Sequence, residues 1–317
     1  MEPLSEVLKQ IAGPAQFQEA EERIRAVLRH ELVAEFRSRH PFLEERDLRV
    51  NVNKLRQYIV EQANCTRCPG LADCPNEFAG HTTLLEAGQA AGRGWIYDKK
   101  VPCRLWLARQ HESAIRRRVR SFYLPEEAVD RPYSIEEMLA ADKKRAMAVK
   151  RVYDYVQLTI REGLQTKGLY LVGGFGTGKT YLMGYLLHEL ARQGYGGAIV
   201  YMPDFMEDLK NMIAEPQKLQ ETVELFKRVD LLVLDDIGAE ILNPWARDHV
   251  LAAILNFRMN RKPTFYTSNH SLEALEQHFS FTDRDGEDEH RGRRLMERIA
   301  PFVEVVEVYG DNKRGMR

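Results

Sequence analysis

Residues Gly173, Gly174, Phe175, Gly176, Thr177, Gly178, Lys179 and Thr180 fit the spacing G-x-x-x-x-G-K-[ST], a phosphate-binding loop. The glycines let the backbone curl so that successive N–H groups face phosphate oxygens, while a following helix aims the positive end of its dipole at the same point. Lys179 should reach the β- and γ-phosphates of a nucleotide and the Thr180 hydroxyl should ligate Mg²⁺. Tyr181 is the next residue of the expected cradle. An apolar run, "LYLV", precedes the loop and "TYLMGYLLHELARQG" follows it, which is the strand and helix context the motif requires.

A cation bridging phosphates wants carboxylate help from a neighbouring strand end. The stretch "LLVLDD" supplies it. Leu231 to Leu234 read as a buried strand, and Asp235 emerges at its C-terminal edge, where ligands bind in open α/β sheets. Asp236 points differently and is the candidate to orient the attacking water, with Glu240 as the alternative. A further strand, "PTFYTSN", ends in Asn269, whose amide is placed to hold the water or the γ-phosphate.

The four cysteines offer a second chemistry. Their spacing is Cys65-x2-Cys68-x5-Cys74-x28-Cys103, and no cysteine lies outside this stretch. Four thiolates can close a tetrahedral structural zinc site, with "CTRC" and Pro69-Gly70 turning the first pair toward one point. His81 is a possible substitute for Cys74. A redox pair would need a strand before it and a helix after it, whereas here a helix precedes and turn residues follow.

A chain of 317 residues needs about two domains to hold these sites. With 44% apolar and 29% charged residues it has a globular composition. No apolar run is long enough to span a bilayer, and the N-terminus lacks a signal sequence, so a cytoplasmic protein is expected. A net charge of -1 leaves nucleic-acid binding to local patches, of which "AIRRRVR" (Arg116, Arg117, Arg118 and Arg120 on one helix) and Arg291, Arg293 and Arg294 are the candidates. Helical periodicity marks residues 16–39 as one helix ended by His40-Pro41, with a shorter helix from about Asn53 leading to the first cysteine. From Lys143 onward, helices alternate with the strands "GLYLVG", "GAIVYM", "LLVLDD" and "PTFYTSN", which predicts an α/β fold with a parallel sheet covered on both faces. The expected organisation is a mainly helical zinc-binding domain over residues 1–121, a linker over 122–137 and an ATPase domain over 138–317. "TDRDGEDEHRGRR", residues 282–294, reads as a mobile surface loop.

Taken together, "GGFGTGKT", "LLVLDDIGAE", "YTSN" and "RRLMERI" resemble the AAA+ ATPases, specifically the DnaC/DnaI group of helicase loaders, over roughly residues 140–308. The run "CTRCPGLADCPN" and the later "PC" before a helix resemble the DnaI type of low-GC Gram-positive bacteria. The resemblance implies an ATPase, weak alone and dependent on assembly. ATP, Mg²⁺ and Zn²⁺ would be its cofactors, with a replicative hexameric helicase, single-stranded DNA and further copies of the chain as partners. It implies that Arg298, or failing that Arg294, is a finger reaching a neighbouring subunit's ATP. With 19 residues after Arg298, no C-terminal helical lid is expected. The related transposition helper ATPases are the alternative, against which the cysteine-rich N-terminal part argues. A small-molecule P-loop kinase and a zinc adaptor with ATP as a mere switch are more distant alternatives.

Overall fold

In the computed structural model, the described residues are 14–90, 93–124, 134–282 and 286–312. The chain divides into two compact units, Met1–Glu112 and Ser113–Arg317.

In the second unit, five-residue apolar segments become strands because nearly every side chain on them is covered on one face or the other. The unit holds β3 (Val119–Phe122), α6 (Ile135–Ala141), α7 (Ala146–Glu162), β4 (Gly168–Val172), α8 (Lys179–Arg192), β5 (Gly197–Tyr201), α9 (Met202–Met212), α10 (Pro216–Arg228) and β6 (Leu231–Asp235). A π-helical turn, Ala246–Leu251, then runs into α11 (Ala252–Arg258), followed by β7 (Thr264–Ser268), α12 (Leu272–Ser280), β8 (Phe281–Thr282), β9 (Gly286–Glu287), α13 (Glu289–Met296) and β10 (Val303–Glu307). Six strands lie in the order β10-β4-β7-β6-β5-β3, and every neighbouring pair is parallel. Alternate residues feed opposite faces, as a period of two demands. Tyr170, Val200, Leu232, Leu234 and Tyr266 pack with α9, α11 and α12, whereas Leu171, Ile199, Leu231, Val233 and Phe265 pack with α7 and α8. The C-terminal tips of β4, β6 and β7 therefore meet along one edge, ahead of the N-terminus of α8.

The first unit holds α1 (Pro14–Leu28), α2 (Glu31–Arg39), α3 (Glu45–Val50) and α4 (Val52–Thr66), then β1 (His81–Ala90) and β2 (Arg93–Pro102). α5 (Arg104–Arg116) follows Cys103. Val33, Phe36, Leu43, Leu48, Leu55, Leu85 and Ile96 form the core. Buried Glu61 ties α4 to the hairpin, accepting hydrogen bonds from Thr83 N at 2.6 Å, Thr83 Oγ1 at 2.7 Å and Lys100 Nζ at 2.6 Å. Burial alone would push this carboxyl up, but the bonds from Lys100 and Thr83 outweigh it and hold it below the usual carboxylate range.

Several expectations need correction. The N-terminal unit, although mainly helical, also holds a hairpin that was not expected: β1 and β2 pair antiparallel over ten residues each, with Leu85 and Ile96 on the covered face. Adjacent leucines (Leu84, Leu85) and interspersed glycines blur the alternation that would have marked them. The single helix expected over 16–39 is two, because the His30 imidazole caps α2 by accepting from Leu32 N. The boundary placed at 121 falls inside the sheet. Val119–Phe122 is its edge strand beside β5, so Arg116 ends α5 and Arg120 sits on a strand. The linker expected over 122–137 lies mostly outside the described residues, and its end is already α6, capped by Ser134 Oγ accepting from Glu137 N. The loop expected over 282–294 contains β9 and α13, the latter capped by Asp288 accepting from Arg291 N.

Candidate nucleotide site

Residues 173–178 link β4 to α8 across the tips of the sheet. Gly173 has no room for a side chain, since a Cβ there would stand 2.2 Å from the Val308 carbonyl oxygen. Gly178, at φ +95°, takes the left-handed conformation that caps α8, so the helix opens directly at Lys179. The Lys179 ammonium is buried, and it donates to Gly173 O at 2.7 Å, Gly174 O at 2.9 Å and Asn269 Oδ1 at 2.7 Å. Lysine and asparagine, 90 residues apart in the chain, thus meet at the loop.

At the second residue of the helix, Thr180 Oγ1 lies 2.9 and 3.1 Å from the two carboxylate oxygens of Asp235. Asp235 is 2% exposed, and burial pushes its carboxyl up despite hydrogen bonds from Thr267 and Thr180. This hydroxyl and this carboxylate are the pair that could hold a cation. Asp236 turns away at φ +56°, in the left-handed region that Asp and Asn tolerate. Its backbone N–H donates to Thr267 Oγ1 at 2.8 Å, and its Oδ1 accepts from Asn269 Nδ2 at 3.1 Å. Asn269 therefore bridges Lys179 and Asp236, joining the loop to the tips of β6 and β7.

Sequence reasoning missed Thr267. Its hydroxyl donates to Asp235 Oδ1 at 2.7 Å while accepting from Asp236 N, so it fixes both aspartates. Little in the sequence pointed to it: the strand reads as buried, but what this hydroxyl meets is set by the neighbouring tip of β6. Glu240, the alternative to Asp236, is buried, and its Oε2 accepts from Gly238 N at 2.7 Å. Its Oε1 faces His278 Nε2 at 3.5 Å. Among the described residues, neither contact of Glu240 reaches the loop. Phe175 stands exposed at the apex of the loop, and Tyr181 packs partly against the core on α8. Phe175 and Thr177 line one side of a groove of about 590 Å³, opposite Tyr309 and Gly310 of the segment after β10. Arg298 lies just beyond α13, where its Nη1 donates to the Arg294 carbonyl and its Nε has no hydrogen-bond partner among the described residues. Arg294 is exposed.

In the first unit, no group of three or more His, Cys, Asp and Glu side chains among the described residues is placed to hold a metal ion. The cysteines share a neighbourhood without forming such a group. Cys65 Sγ accepts from Asn76 Nδ2 at 3.5 Å, Cys74 Sγ from Gly80 N at 3.4 Å and Cys103 Sγ from Trp106 N at 3.5 Å. Cys103 N in turn donates to Gly80 O at 2.7 Å, whereas Cys68 is exposed. The His81 ring packs 5.2 Å from the ring of Trp106.

The family of IstB-like ATP binding proteins matches residues 109–317, and the family of the primosomal protein DnaI N-terminus matches residues 1–91. The replicative helicase loader DnaI of Bacillus subtilis (strain 168) is 31% identical over 318 aligned positions, spanning 99% of each chain. The chain belongs to the DnaI-like helicase-loader family. A crystal structure of DnaI aligns to this DnaI-like chain with 33% identity and a TM-score of 0.53, covering 65% of it and 100% of the solved chain. The ATP-binding protein of insertion sequence IS1162 from Pseudomonas fluorescens is 33% identical over 104 residues, which is 33% of the DnaI-like chain and 44% of its own. The family is an ATP-binding one, and the expected loop, aspartates and Asn269 are gathered at one edge of its sheet.

Proposed function

We propose that the protein is an ATP-dependent loader that places a replicative hexameric helicase on single-stranded DNA, in initiation and in restart. The observation that carries this reading is the match along almost the whole chain to a helicase loader, N-terminal unit included. The transposition-helper alternative draws on likeness to the IS1162 protein, which is confined to 104 residues. The DnaI-type match over residues 1–91 favours the loader.

In this reading the loop N–H groups and Lys179 bind the ATP phosphates, and Thr180 and Asp235 hold Mg²⁺, which neutralises phosphate charge when bound. Asp236, steered by Asn269 and Thr267, orients water for attack on the γ-phosphate. Arg298 acts on the nucleotide of a neighbouring copy, where a permanently protonated planar guanidinium can stabilise transition-state charge. It sits outside the Lys179–Asn269–Asp236 network of its own chain, as a residue working in trans should. Loading then follows from differential binding: ATP shifts the assembled, DNA-holding state only as far as its affinity differs between the two states.

The test is to mix the protein, the replicative helicase of the same cell and circular single-stranded DNA carrying an annealed oligonucleotide with Mg-ATP. Unwinding and ATP turnover should both rise well above the separate components. Arg298→Ala is expected to keep ATP binding by the isolated protein while losing the rise in turnover. Turnover that is unmoved by helicase, DNA and the substitution would remove both the loader reading and the finger.

We also propose that Cys65, Cys68, Cys74 and Cys103 bind one structural zinc ion. Support comes from the Cys-x2-Cys spacing and from three sulfurs that already accept N–H hydrogen bonds, as ligating thiolates do. Protein purified without chelator should carry about one zinc per chain by elemental analysis. Paired Cys65→Ser and Cys68→Ser substitutions should remove it. Metal-free protein with four freely titrating thiols would overturn the assignment.

A further inference from the structure

Arg145 ends a short 3-10 turn, Lys143–Arg145, that leads into α7. Its side chain points inward and is 5% exposed, and neither Nε nor Nη2 has a hydrogen-bond partner among the described residues. A guanidinium is always charged, and burying its donors without acceptors is unfavourable. Folded proteins keep such groups where something else supplies the acceptors.

Its position says what that is. Nη1 lies 2.9 Å from where a Cβ on Gly178 would stand, with Cζ at 3.7 Å, so the fork rests directly on the phosphate loop one residue before Lys179. Nη2 lies 3.8 Å from the corresponding point on Gly310, in the segment that lines the groove beside the loop. Asp142 is the carboxylate of the same turn, yet its oxygens are engaged elsewhere. Oδ1 accepts from Lys144 N at 3.0 Å and Oδ2 from Asp311 N at 2.9 Å. Lys144 Nζ pairs with Asp311 Oδ1 at 2.9 Å, so the turn is clasped to the segment after β10 and the arginine is held in place in advance of any ligand.

We propose that Arg145 is a further nucleotide-binding residue, one that donates to phosphate oxygens of the nucleoside triphosphate held by the same chain's loop. A planar fork beside an anion cradle matches phosphate bidentately. Phosphate oxygens there would supply the acceptors that the described residues do not. The inference rests on the ATP-binding reading of the loop. It also gives Gly178 a second constraint, since a Cβ there would require the guanidinium to shift.

The test uses the full chain as wild type, Arg145→Ala, Arg145→Lys and, as a control, Lys179→Ala. Melting is measured without nucleotide, and affinity is measured for a fluorescent ATP analogue and for tripolyphosphate with Mg²⁺. Arg145→Ala should leave the unliganded melting temperature unchanged or raise it, because an unpaired buried charge is removed. Affinity for both ligands should fall about tenfold, the loss of a charge-assisted hydrogen bond, with Arg145→Lys recovering only part of it. Wild-type affinity in Arg145→Ala would overturn the proposal. So would a loss of affinity that tracks a lowered melting temperature, which is the mark of a structural role. Loss for the ATP analogue with tripolyphosphate unaffected would move the contact to the nucleoside and overturn the phosphate assignment. Failure of the wild type to bind either ligand would overturn this proposal and the ATP-binding reading together.

Discussion

Lys179→Ala is expected to weaken ATP binding by about 10- to 100-fold and to abolish measurable turnover, since hydrogen bonds to charged groups contribute about 1.5–3 kcal/mol each. The ammonium already bonds to the Gly173 and Gly174 carbonyls and to Asn269, so it is held at the mouth of the loop. An incoming β,γ-phosphate exchanges these neutral acceptors for charged ones without moving the lysine far. Alanine removes the charge and also frees Asn269, so Asp236 loses its support. Equilibrium binding of a fluorescent ATP analogue, followed by single-turnover hydrolysis in the assembled complex, separates the two effects. Unchanged affinity would show that the loop does not hold phosphate through Lys179.

Asp236→Asn is expected to lower turnover by about 10²- to 10⁴-fold, the range for loss of a positioned base, while leaving ATP affinity within a few fold of wild type. Asparagine suits the test because it tolerates the positive φ of this position, and its carbonyl oxygen can still accept from Asn269 Nδ2. Alanine would add backbone strain to the loss of the carboxylate. Glu240→Gln should leave turnover near wild type, since Glu240 Oε2 is occupied by the Gly238 N–H and Oε1 faces His278. If Glu240→Gln is dead and Asp236→Asn is active, the two roles must be exchanged. The same assay on Thr267→Val should show an intermediate loss, because that hydroxyl orients both aspartates without touching the nucleotide.

The parts of the site that were legible in the sequence are those written locally. A glycine loop between two apolar runs and an Asp-Asp pair closing a four-residue apolar strand each carry their own structural context, and the parallel sheet brings them together. Asn269 could be read only from its order along the chain, yet it proves to be the hydrogen-bonded link between Lys179 and Asp236. Thr267 and Arg145 were invisible for a different reason. Thr267 stands in "YTSN" with no chemistry of its own written there and Arg145 stands in no motif, and each acquires meaning from a partner more than 30 residues away, across the sheet tips or across the loop. The missed strands fail in a similar way. Val119–Phe122 is short and carries an arginine, and its strand character comes from pairing with β5. In the N-terminal hairpin only one face is covered, leaving Leu84, Trp95 and Tyr97 exposed, so hydrophobicity did not alternate with burial. In α13 the density of charge hid the two apolar side chains, Leu295 and Met296, that dock the helix.

The most direct test of the loader reading is the mass of the complex formed with the replicative helicase of the same cell, by size-exclusion chromatography with light scattering, with and without Mg-ATP. A stable complex whose mass corresponds to several copies of this chain on a helicase ring, and whose stability or stoichiometry changes with Mg-ATP, is the expected result. Separate elution of the two proteins under both conditions would contradict the reading and turn the search toward a transposase as partner.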